Sequence, residues 1–134
     1  MFAISIIENY DKILNYFLEQ CSHFTVAYPG EKNIFDPSNP LMFKKDCFLK
    51  LSEITVSPWE DMTESISISG VLTSEVKEIF WDSLSQKGLW NYKLYREGVP
   101  VLSVSDFDVG VIDIPSDEIN VLIRKKIISF DDYL

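Results

Sequence analysis

Few residues of this 134-residue chain have the types and spacing that catalysis requires. The single histidine, His23, lies two positions from Cys21, and a Cys/His pair can form a thiolate with its general base. Cys21 also closes an apolar helical stripe, which favours a packing role for its thiol. A structural zinc site would need His23, both cysteines (Cys21 and Cys47) and a carboxylate. The spacing therefore favours neither a cysteine nucleophile nor a bound zinc ion.

Carboxylates recur along the last third of the chain, at Asp106, Asp108, Asp113, Asp117 and Glu118. Alternate residues of a strand point the same way, so Asp106 and Asp108 could converge on Mg²⁺ or act as an acid–base pair. An Asp-rich turn followed by an acidic helix N-terminus accounts for the same residues structurally. A metal-dependent enzyme with Asp106 and Asp108 as ligands stays a third alternative.

Common catalytic and cofactor signatures do not occur in the sequence. GxGxxG, GxxxxGK[ST], HExxH and GxSxG are all absent. Since no residue pattern argues positively for catalysis, we expect a protein that is not an enzyme and that has no catalytic residues, no metal and no cofactor.

A surface feature offers a stronger candidate site. In the segment Ser57–Met62, Trp59 is preceded by proline and followed by Glu60 and Asp61. An aromatic residue beside carboxylates in a predicted loop is typical of a binding hot spot with an acidic rim, although the indole could instead fold back onto the core. We predict that Trp59, Glu60, Asp61 and Asp108 contact a protein partner.

Three helices are predicted from apolar residues that recur at steps of three and four. They run from about Glu8 to Gln20, from Thr73 or Ser74 to just before Gly88, and onward from Pro115. We expect Phe17, Phe80 and Ile123, at the centres of the three apolar stripes, to be buried.

Strands are predicted at His23–Tyr28, Ser65–Ser69, Leu89–Arg96, Val99–Ser105 and Phe107–Ile114. Short connections between the last three indicate an antiparallel meander. Residues between Cys47 and Val56 favour a strand, while a short helix over Lys45–Ser52 fits nearly as well. Prolines make Pro29–Pro40 a long loop.

These elements predict an α+β fold: a mostly antiparallel sheet with about three helices packed on it, and a C-terminal three-strand meander followed by a helix. No boundary divides the chain, so we expect residues 1–134 to form a single globular domain. Met1–Ile7 is too short and uncharged for a signal peptide, and no segment is apolar enough for a membrane helix. A cytoplasmic protein with Cys21 and Cys47 free and buried is expected.

Charge points to the kind of partner. Asp and Glu number 21 against 12 Lys and Arg, a formal net charge of −9, which disfavours direct binding to nucleic acid. In overall profile, an acidic, aromatic-bearing domain without a catalytic set resembles the immunity proteins of bacterial polymorphic toxin systems, including contact-dependent growth inhibition. The resemblance implies binding to a cognate, basic, nuclease-type toxin, whose active site an acidic surface occludes. The alternative is a small adaptor or regulatory protein-binding domain.

Overall fold

Seven strands form one antiparallel sheet in the computed structural model, which describes residues 2–5, 8–30, 40–60, 64–85 and 88–129. The strands are β1 (Phe2–Ser5), β2 (His23–Tyr28), β3 (Ile54–Pro58), β4 (Ile66–Val71), β5 (Asn91–Arg96), β6 (Val99–Ser105) and β7 (Val109–Ile112). Their order across the sheet is β1-β7-β6-β5-β2-β4-β3, and every neighbouring pair is antiparallel. The predicted meander is β5-β6-β7.

The described residues also include four α-helices: α1 (Tyr10–Gln20), α2 (Lys45–Leu49), α3 (Ser74–Ser83) and α4 (Ser116–Arg124). A 3-10 turn at Pro40–Met42 precedes α2. Thr73 caps α3, because its side-chain oxygen accepts a hydrogen bond from the backbone N–H of Val76 at 3.2 Å. The α+β class and the meander followed by a helix are confirmed.

The core lies between one face of the sheet and the helices. Alternation along β2 directs Phe24, Val26 and Tyr28 to this face, where all three are buried. Phe24 contacts Phe48 of α2 and Phe80 of α3, with ring centroids 5.5 and 6.2 Å apart. Buried side chains of α1 and α4 join the same cluster: Ile13, Leu14, Phe17, Leu18, Ile119 and Leu122. The helices therefore cover this one face and leave the opposite face to other contacts.

A polar contact holds α1 and α4 to the sheet. The guanidinium of Arg96 in β5 donates two hydrogen bonds to the Glu118 carboxylate, at 2.8 and 2.9 Å, and the hydroxyl of Tyr16 donates a third. The bonds from Arg96 hold the pKa of Glu118 below its ordinary value. The first turn of α4 is thereby tied to two other elements.

A bulge allows β6 to contain a proline although β6 lies between two strands. Leu94 pairs with Leu102 and Tyr95 with Pro100, so Val101 has no partner in β5. Proline donates no ladder hydrogen bond and is tolerated at such bulges. Val101 and Leu102 are both buried, at 2% and 0% exposure, as expected where a bulge turns two successive side chains to one side.

Two burial predictions were wrong. Ile123 is only half-buried, because Ile119 and Leu122 occupy the inward positions of α4 and Ile123 lies further round the helix. Cys47 is exposed, because the next residue, Phe48, takes the inward position of α2 within the aromatic core. Phe17, Phe80 and Cys21 are buried, and both cysteines are free, as predicted.

Other differences concern element boundaries. The sequence pattern does not predict β1, which pairs with β7 at one edge of the sheet. Residues 45–58 contain both of the competing elements, the helix α2 and then the strand β3. The strand predicted at Phe107–Ile114 is shorter at both ends, since 106–108 form a turn. Most of the predicted Pro29–Pro40 loop lies outside the described residues.

Candidate functional site

The sheet face opposite the helices carries mostly small hydroxyl side chains. Strand register places Thr55, Ser69, Thr25, Lys93, Ser103, Val111 and Ala3 in one row across it. Alternation places Ser57, Ser67, Ala27, Asn91, Ser105, Val109 and Ser5 in the neighbouring row. Neither row of the described sheet includes an Asp or a Glu, and Lys93 is the single charged residue in them. We call these two rows the hydroxyl face.

A groove of about 280 Å³ lies on this face over β2, β5 and β6. Its lining includes Thr25, Trp59, Asn91, Lys93, Tyr95 and Ser103. Trp59 directly follows β3, whereas the other five residues lie within strands. The groove therefore combines hydroxyl, amide and ammonium groups with two aromatic rings.

Backbone hydrogen bonds position Trp59 at the end of β3. Its N–H donates to the carbonyl of Ser65 at 2.9 Å, and the Ser65 hydroxyl accepts the N–H of Gly30 at 3.2 Å. A Cβ atom on Gly30 would lie 2.6 Å from the carbonyl oxygen of Glu64, so this close approach requires glycine. The start of the β3–β4 connection is thus held against the end of β2.

The indole of Trp59 packs edge-to-face on that of Trp90, with centroids 5.5 Å apart and planes at 90°. The Nε1–H of Trp90 donates to Oδ1 of Asp106 at 3.3 Å, and the Trp90 carbonyl accepts the N–H of Phe107 at 3.1 Å. We call Trp59, Trp90 and Asp106 the indole cluster. It joins the β3–β4 connection to the β6–β7 turn.

Some of the residues predicted to bind a partner lie close to one another in the fold. Trp59 is half-buried within the indole cluster, Glu60 follows it and is exposed, and Asp108 lies half-buried two residues after Asp106 in the β6–β7 turn. Asp61 lies outside the described residues. The ring of Trp59 packs on Trp90 and also lines the groove, and its contact with a partner stays a prediction.

Five of the groove residues named above were not among the predicted site residues: Thr25, Asn91, Lys93, Tyr95 and Ser103. Their signal was present as alternation in β5, where Asn91, Lys93 and Tyr95 interleave with the buried Tyr92 and Leu94. The sequence does not show which strands lie beside β5, because that depends on the order of strands in the sheet.

The Cys/His pair does not form a nucleophile with its base. Burial raises the pKa of the Cys21 thiol to about 11, which keeps it protonated near neutral pH. His23 is exposed, and its Nδ1 lies 2.8 Å from the hydroxyl of Ser22. In the described part of the chain, no group of three or more His, Cys, Asp or Glu side chains is arranged to hold a metal ion.

Comparisons of the chain with protein-family models, with curated proteins and with solved structures find no match. Among the residues that the structure describes, no helix combines the length and apolar character needed to cross a membrane.

Proposed function

We propose that this chain is a cytoplasmic immunity protein that binds a basic, nuclease-type toxin domain and occludes its active site. The observation that carries the proposal is the indole cluster, because it brings the aromatic Trp59 beside the acidic β6–β7 turn. The proposed contact surface is this end of the sheet, with Trp59 as its anchor and Glu60, Asp106 and Asp108 as its acidic rim.

An anchor that is already held in place suits tight binding. Trp59 is fixed by its edge-to-face contact with Trp90 and by its backbone bond to Ser65, so little side-chain freedom is lost on association. Half-buried aromatic residues surrounded by polar groups are the usual hot spots of protein interfaces. This supports a preformed binding surface.

The distribution of charge supports a basic partner at the end of the sheet. The hydroxyl face has no carboxylate in its two rows, whereas Glu60 and the turn containing Asp106 and Asp108 lie beside Trp59. Enzymes that cleave nucleic acid bind phosphates and present positive charge, so a negative rim accelerates the encounter.

The proposal includes no catalysis by this chain. Asp106, the first of the two candidate metal ligands, accepts a hydrogen bond from Trp90, and Glu118 is engaged by Arg96 and Tyr16. These contacts give Asp106 and Glu118 structural partners within the fold.

The test uses surface plasmon resonance over a salt series, with the toxin domain that the proposed function expects to be encoded beside this gene. Glu60→Lys and Asp108→Lys should each slow association and weaken its salt dependence, because rim charges act mainly on the approach. Trp59→Ala should mainly raise the dissociation rate, by about tenfold or more for a hot-spot residue. Glu78→Lys, the same charge change on the exposed surface of α3, is the matched control and should leave binding unchanged.

Binding that is unaltered in Trp59→Ala, Glu60→Lys and Asp108→Lys would contradict this surface. A folded protein that neither binds the toxin domain nor protects cells expressing it would contradict the immunity function itself. That result would favour the adaptor alternative.

A further inference from the structure

The position of Lys93 suggests a second binding function. Lys93 is exposed at the centre of the hydroxyl face, with Thr25 of β2 on one side in register and Ser103 of β6 on the other. In the described part of the chain its ammonium has no ion-pair partner. A lone cation in a carboxylate-free region of a chain with net charge −9 is available to an external anion.

Neutral polar groups surround this ammonium. Asn91 and Ser103 line the same groove and are half-buried. Thr25 donates its hydroxyl proton to the Tyr95 oxygen at 3.4 Å, which leaves the phenol proton of Tyr95 for another acceptor. The groove thus offers several donors and an amide, which can both donate and accept.

An aromatic side chain completes the groove. The indole of Trp59 lines it, and the perpendicular contact with Trp90 restrains that indole. Aromatic side chains held in this way stack on planar rings, nucleobases among them.

We propose that this groove binds a small ligand that joins a flat ring to one anionic group, as in a nucleoside monophosphate. The anion lies at Lys93 in a charge-assisted hydrogen bond, and the ring lies against Trp59. The groove of about 280 Å³ is close to the lower end of the range for small-molecule sites, which is about 300–1,000 Å³.

The surroundings disfavour a ligand with several anionic groups. Glu60, Asp106 and Asp108 lie at the Trp59 end, so further phosphates of a nucleic-acid strand would meet carboxylates as they left the groove. A mononucleotide avoids this repulsion. The site is therefore compatible with the acidic character that disfavours nucleic-acid strands.

The test titrates AMP, GMP, CMP and UMP into the full chain and follows both tryptophan fluorescence and heat. Saturable binding is expected for at least one of them. Lys93→Gln should lower the affinity for that nucleotide by about tenfold or more, because a charge-assisted hydrogen bond is lost. The affinity for the matching nucleoside should not change. Trp59→Leu should lower the affinity for the nucleotide and for the nucleoside alike. Lys12→Gln, on the exposed side of α1, is the matched control and should change neither.

Two further titrations test which parts of the ligand the groove recognises. Inorganic phosphate alone should bind far more weakly than the nucleotide, because it has no ring for Trp59. Indole-3-acetate, a ring with a carboxylate, would support the proposal if its binding depended on both Lys93 and Trp59. Absence of binding by every nucleotide and by indole-3-acetate up to about 5 mM would overturn it. An unchanged Kd in Lys93→Gln, with the fold verified by circular dichroism, would also overturn it.

Discussion

Arg96 of β5 and Glu118 of α4 form a bidentate ion pair that attaches α4 to the sheet, with nitrogen–oxygen distances of 2.8 and 2.9 Å. Their side chains are 26% and 19% exposed, so the pair is largely shielded from solvent. Two parallel hydrogen bonds fix orientation as well as distance. The pair therefore determines where the first turn of α4 sits.

Replacing Glu118 with Gln should lower the free energy of unfolding by about 1–2 kcal/mol at pH 7, since charge-assisted hydrogen bonds are lost. Arg96 lowers the folded-state pKa of Glu118, so this contribution is complete above the unfolded pKa of glutamate and is lost as pH falls through the folded value. Urea unfolding at pH 7 and at about pH 3 should show the difference between wild type and variant shrinking at acid pH.

Asp117→Asn is the control for this prediction, because Asp117 is the exposed neighbour of Glu118 in the same turn. A stability difference for Glu118→Gln that persists undiminished at acid pH would show that something other than the ionised pair holds α4.

The packing of α4 can be tested with two adjacent residues of nearly equal size. Leu122 is fully buried, whereas Ile123 is half-buried. Leu122→Ala should cost about 2–5 kcal/mol, the range for large-to-small changes in a core, and Ile123→Ala should cost clearly less. Chemical denaturation measures both. Equal losses, or the larger loss at Ile123, would mean that the helix faces the core differently.

The two cysteines should differ in reactivity. Cys47 is exposed and should react with a thiol reagent in the native protein, while Cys21 is buried and its raised pKa keeps its thiol protonated near neutral pH. Mass spectrometry after brief labelling should therefore find one modified cysteine in native protein and two after denaturation. Cys47→Ser should abolish native labelling. Native modification of Cys21 would contradict the packing of α1 against the sheet.

The local elements were predictable because their signals are local. Each of these signals spans only a few residues. They are the cap at Thr73, the three- and four-residue spacing around Phe17 and Phe80, and the alternation at Ile66 and Ile68. The prediction that Ile123 is buried failed because several apolar positions in α4 compete, and the choice among them depends on what the helix packs against.

The candidate site was predictable only in part. Trp59 and Asp108 could be chosen from residue type, but the link between Trp59 and the β6–β7 turn runs through Trp90, whose indole donates a hydrogen bond to Asp106. The groove also depends on β2 lying beside β5, a pairing between distant segments that leaves no periodic signal in the sequence. Lys93 therefore resembled an ordinary exposed strand residue.

The order β1-β7-β6-β5-β2-β4-β3 has a consequence for how the chain reaches its native state. The meander β5-β6-β7 pairs neighbours along the chain, whereas β2 pairs with β4 and β5, and β1 pairs with β7, across long separations. Loop closure must precede each distant pairing, so the C-terminal hairpins can form rapidly while β2 must await β5. A nascent chain that ends before Asn91 therefore lacks β5, the meander strand that pairs with β2, and it leaves one edge of β2 unpaired.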